Sequence, residues 1–108
     1  MWIFTTFGFF SVVQKPGSSV LTVRARDRTD LDSLRARYLP SLSETVVGGG
    51  TDYPYRATVA HEDLAPAMSK IVADIDYSNF KSEVARKMGS GRASVYAKVW
   101  QALLDLEP

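Results

Sequence analysis

Apolar residues run almost without interruption from Trp2 to Val13: one Trp, four Phe, two Val and one Ile, broken only by small polar residues and Gly8. A strand covered on both faces reads as such a continuous run, so the pattern predicts one deeply buried strand here. Gln14 to Ser19 follows, with Pro16-Gly17 at its centre, and marks a turn. From Val20 to Arg26 the chain alternates. Leu21, Val23 and Ala25 face one way, and Thr22, Arg24 and Arg26 the other. Two apolar runs about a short turn predict an antiparallel hairpin.

A helix start follows at Asp27 to Asp32, where Thr29 and Asp32 approximate a capping box. Leu31, Leu34 and Tyr38 form its apolar stripe, and Pro40 ends it. Residues 41–52 are irregular and contain the glycines 48–50, read as a loop. A third strand is predicted over 53–59, with Tyr55, Ala57 and Val59 on one face and Arg56 and Thr58 on the other. Leu64, Met68, Ile71, Val72 and Ile75 give a second amphipathic helix. Asp76 to Asn79 breaks it. A third helix carries Phe80, Val84 and Met88, and a fourth carries Val95, Tyr96, Val99, Trp100, Leu103 and Leu106.

These elements predict a single α+β domain over 1–108. Its topology is ββαβα, half of a ferredoxin-like fold, followed by two C-terminal helices. The expected sheet is small, three-stranded and antiparallel or mixed. A right-handed crossover would lay the third strand parallel to the second. The simplest order is then 2-1-3, with the N-terminal run in the centre and helices packed on the sheet. Trp2, Phe4, Phe7 and Phe9 are more than two short helices can cover, and this predicts a homodimer.

Composition narrows the chemistry. With 45% hydrophobic and 23% charged residues the chain is globular. It has no cysteine and one histidine, His61, which excludes disulfides, thiolate chemistry and sites built on two histidines. No cofactor or metal is expected. The N-terminal run lacks a basic leader and a cleavage site, and is shorter than the roughly 20 residues a membrane span requires. A cytoplasmic, non-membrane protein is expected, in keeping with the absence of cysteine. The net charge of +1 gives no direction; only clustered charge would.

Two clusters stand out as candidate ligand-binding residues. In the first, Arg24, Arg26 and Arg56 point outward on strands, with Tyr53 and Tyr55 close by in sequence. Guanidinium groups suit phosphate, and aromatic rings beside them can stack bases. The competing reading is a solvated sheet face. In the second, Asp76, Tyr77, Asn79 and Lys81 lie within six residues between two helices. They either converge on a small ligand or, through Asn79, cap the next helix. His61, beside Glu62 and Asp63, is a candidate general base or simply a helix start. Lys81, Arg86, Lys87, Arg92 and Lys98 make the segment 81–98 the most basic in the chain. No nucleophile motif accompanies any of these. The expected role is a binding or regulatory domain without catalytic apparatus. The alternative is an anion- or nucleic-acid-binding module using the Arg/Tyr sheet face.

Three strings, Met1 to Val13, Thr51 to Arg56 and Ile75 to Lys81, together with Val99-Trp100, resemble a family of short bacterial proteins that has no assigned function. The resemblance covers nearly the whole chain and implies a complete single-domain protein. It carries over no activity and no site residue.

Overall fold

The computed structural model describes residues 1–48 and 52–108. They form two compact units, Met1–Ile75 and Asp76–Pro108. Among the described residues the fold is α+β, with four α-helices and an antiparallel sheet of five strands rather than three.

The first unit contains β1 (Trp2–Thr5), β2 (Gly8–Val13), β3 (Leu21–Ala25), α1 (Arg28–Arg37), β4 (Val46–Val47), β5 (Tyr55–Val59) and α2 (His61–Ala73). The sheet order is β1-β2-β3-β5-β4, and every neighbouring pair is antiparallel. This corrects the expected 2-1-3 order. The N-terminal run is not one central strand. It folds on itself at Thr6-Phe7, which places β1 at a sheet edge and β3 in the centre.

The turn explains the difference. Two-residue hairpin loops are usually recognised by Asn-Gly or Gly-X, because their common forms need positive φ. Here no residue other than glycine has positive φ among the described residues, so the sequence lacks that signature. The turn is braced instead by Thr5. Its hydroxyl donates to the Gly8 carbonyl at 2.8 Å and accepts the Phe7 N–H at 3.2 Å.

The expected parallel crossover is also corrected, since β5 runs antiparallel to β3. Tyr55, where β5 begins, lies opposite Ala25, where β3 ends. After α1 the chain therefore enters β5 at the end of the sheet where it left β3. The parallel crossover rule does not govern such a return.

One sheet face, bearing Phe10, Val12, Val23, Ala25, Ala57 and Val59, forms the core with Leu31 and Leu34 of α1 and Leu64 and Ala67 of α2. Helix α1 is capped by Asp27 rather than Thr29. Asp27 Oδ1 accepts the Thr29 N–H at 3.0 Å and the Thr29 hydroxyl at 2.8 Å. One turn in, Asp30 is almost fully buried, and its Oδ2 accepts the Phe9 N–H at 2.9 Å. The register pairs Ser11 with Arg24, so Phe9 falls opposite Arg26, just past the end of β3. The carboxylate thus takes the place of a strand that has run out.

In the second unit, α3 (Phe80–Met88) and α4 (Ser90–Leu103) form a helical hairpin, joined at Gly89 with φ of 97°. Only glycine adopts that angle without strain. Phe80 stacks on Tyr96 with centroids 6.0 Å apart, and Val84 is fully buried.

Candidate anion-binding sheet face

The second face of the first unit's sheet carries neither α1 nor α2, both of which pack on the core face. Directly opposed residues on neighbouring strands project to the same side. The register therefore sets one row across all five strands: Trp2, Ser11, Arg24, Arg56 and Val46. Phe4 and Phe9 face each other beside it. The Arg24 and Arg56 positions, which an intervening strand would have held apart in the 2-1-3 order, are direct cross-strand neighbours.

The cationic groups are held by neutral partners. Arg24 Nη2 donates to Ser11 Oγ at 2.7 Å, and Ser11 is 1% exposed. The Arg24 guanidinium also lies over the Tyr53 ring at 4.6 Å, and that of Arg26 over the same ring at 5.0 Å. Arg56 Nη2 donates to the Gly48 carbonyl at 2.9 Å. The Nε atoms of Arg24 and Arg56 are buried without a hydrogen-bond partner among the described residues. Elsewhere Arg35 pairs with Asp32 and Arg86 with Glu83. A hydroxyl, an aromatic face and a carbonyl fix a guanidinium in place without cancelling its charge.

Next to the arginines stands an aromatic group. Phe4 and Phe9 stack at 4.5 Å, and Trp2 meets Phe9 edge-on at 5.9 Å and 87°. Trp2 remains 67% exposed.

Of the residues singled out from the sequence, the fold brings together Arg24, Arg26, Tyr53 and Arg56. Tyr55 lies across from Ala25 and packs against the core on the opposite face. Asp76, Tyr77, Asn79 and Lys81 belong to the second unit. There Asn79 Oδ1 caps α3 by accepting the Ser82 N–H at 2.9 Å, Tyr77 packs on Phe80, and the Lys81 ammonium lies 4.4 Å from the centre of the Trp100 ring. His61 is exposed in the first turn of α2. In the basic segment, Arg86 pairs with Glu83 and Arg92 donates to the Tyr96 hydroxyl. Of the glycine loop, Gly48 has a φ of 114°, while Gly49 and Gly50 lie outside the described residues.

Sequence reasoning missed Trp2, Phe4, Phe9 and Ser11 as neighbours of the arginines. Their only signal is the alternation of Trp2 and Phe4 with Ile3, and of Phe9 and Ser11 with Phe10. It becomes readable once the turn at Thr6-Phe7 is recognised.

Among the described residues no group of three His, Asp or Glu could hold a metal ion. A recess between sheet and helices is lined by apolar groups such as Ile3, Phe10, Leu34, Leu64 and Met68, so it offers no catalytic constellation. Tyr38 donates to Asp74 Oδ2 at 2.7 Å. That bond, together with burial, raises the phenol above its ordinary value and keeps the hydroxyl protonated. No described helix is long and apolar enough to cross a membrane. No protein-family model matches the chain, and no curated protein or solved structure matches it significantly.

Proposed function

We propose that the chain is a small cytoplasmic binding domain, without catalytic apparatus, that holds an anionic ligand on the Arg24–Arg26–Arg56 face. One observation carries the reading: three permanently charged guanidinium groups are fixed side by side by neutral partners. Like charges set directly across a sheet are unfavourable on their own, and an arriving oxyanion relieves them. A solvated surface would instead leave such side chains extended and free, or pair them with carboxylates. The test is titration with fluorescein-labelled inorganic polyphosphate at low salt. Binding is expected to weaken as salt rises, and to be lost in the Arg24→Gln/Arg26→Gln/Arg56→Gln variant. Binding that survives this triple substitution refutes the site.

Self-association is the second reading, favoured by exposed Trp100, Leu103 and Leu106 in the second unit. Phe7 is no part of it. Its ring is buried between Phe10 and Tyr38. Light scattering decides: a homodimer gives twice the chain's 12.0 kDa.

A further inference from the structure

The anion-binding reading leaves the ligand's identity open, and the same row of residues narrows it. We infer, resting on that reading, that the ligand is a single-stranded nucleic acid, bound with a base on Trp2 and its phosphates along Arg24 and Arg56.

Three features of the face combine. First, charge and aromaticity lie in one register row rather than on separate surfaces. Trp2, Ser11, Arg24 and Arg56 occupy successive strands. With strands about 4.8 Å apart, Trp2 stands roughly 10 Å from the Arg24 position along the row. That is the scale on which a flexible strand separates a base from the phosphates of neighbouring nucleotides. Second, Trp2 is propped edge-on by Phe9, which is itself backed by Phe4. The indole is therefore braced from one side while two thirds of its surface meets solvent. A ring held this way offers a flat platform at little entropic cost. Base stacking on such rings tolerates any sequence, because every base has a π-face. Third, the surface is a sheet rather than a protruding helix. A duplex hides its base faces, whereas splayed single strands present theirs to a sheet bearing aromatic rings.

An acidic peptide or a bare polyphosphate would satisfy the arginines but leave the indole unused. Nucleic acid uses both halves of the row. The contacts run through phosphates and base faces, with no pattern of donors and acceptors aimed at base edges, so sequence preference is weak.

The experiment uses the full chain carrying Trp100→Phe, which makes Trp2 its sole tryptophan and a direct reporter. Fluorescein-labelled ten-nucleotide oligo-dT and oligo-U, a duplex of the same length, polyphosphate and poly-glutamate are compared by anisotropy at low salt. The single strands are expected to bind at least tenfold more tightly than the duplex or the base-free polymers, and to quench Trp2 emission. Trp2→Ala is expected to weaken oligonucleotide binding about tenfold or more, the usual effect of losing one stacked base, while polyphosphate binding is unchanged. Trp2→Phe is expected to recover part of the loss, and since Trp2 is exposed neither change should disturb folding. With three arginine contacts the slope of log affinity against log salt is expected near about −2. If polyphosphate or poly-glutamate binds as tightly as the oligonucleotides, or Trp2→Ala has no effect, the nucleic-acid inference is overturned while the anion site stands. If none of the probes binds, both are overturned.

Discussion

Asp30 offers the sharpest test of how the sheet is held. It is 2% exposed and its carboxylate accepts the Phe9 N–H, a donor that β3 is one residue too short to satisfy. Replacing it with alanine removes a hydrogen bond to a charged group, a loss of about 1.5–3 kcal/mol. It also removes an acid from the first turn of α1, where the helix dipole favours negative charge by about 0.3–1 kcal/mol. Against this, alanine is the better helix former by about 0.5 kcal/mol. The net expectation is a destabilisation of about 2–3 kcal/mol. A domain of this size typically has about 5–15 kcal/mol in all, so the effect is large. Asp30→Asn keeps an acceptor oxygen in the same place and is expected to cost about half as much. The assay is urea unfolding followed by far-ultraviolet circular dichroism, with the slope unchanged and the midpoint lowered. A midpoint for Asp30→Ala corresponding to less than about 0.5 kcal/mol would refute the argument that this carboxylate substitutes for a missing strand.

Two further outcomes follow from the same geometry. Phe10 is buried in the core while Phe9 lies half-buried on the opposite face. In urea unfolding, Phe10→Ala is therefore expected to cost about 3–5 kcal/mol and Phe9→Ala clearly less, and equal losses would show that the faces are wrongly assigned. Tyr38, its phenol raised by the hydrogen bond to Asp74, contributes stability that is fully present below the unfolded tyrosine value of about 10 and is lost as pH rises through the higher folded value. The stability difference between wild type and Tyr38→Phe is expected to be flat from pH 7 to 9 and to shrink above about 10. A difference that grows at high pH would contradict the sign.

The four helices were legible because each carries a periodic apolar stripe and a local boundary signal. Leu31 and Leu34 mark α1, Leu64 and Met68 mark α2, and Asn79 and Gly89 delimit α3. Local signals were less reliable about the sheet. The run from Trp2 to Val13 is apolar on both sides for two separate reasons. Ile3 and Phe10 face the core, while Trp2, Phe4 and Phe9 gather on the other face. The period of two holds within each arm, but pairing Thr5 with Gly8 inverts its phase across the turn. Because apolar residues occupy both faces, the inversion leaves no mark, and a hairpin and one long strand look alike. One discriminator is the Thr5 hydroxyl, tied to both Phe7 and Gly8, but a threonine so placed is common in strands as well. Gly8 is the second discriminator. A Cβ there would lie 2.8 Å from Asp30 Cβ, a contact that exists only after α1 has docked. It is tertiary information that no local window contains.

The candidate face shows the same division between local and non-local information. Alternation alone put Arg24 and Arg26 on one side of β3 and Arg56 on one side of β5, and both placements are what the register requires. Whether those sides coincide depends on strand order and direction. A parallel β5 separated from β3 by an intervening strand would have spaced the guanidinium groups apart and let each be solvated alone. Antiparallel pairing of β3 with β5 makes Arg24 and Arg56 immediate neighbours, and the hairpin at Thr6-Phe7 carries Trp2 into their row through Ser11. The turn that hid the fold from the sequence is thus also what assembles the site. Without the reversal, β1 would not exist as a separate strand, and the aromatic platform and the arginines would have no common row.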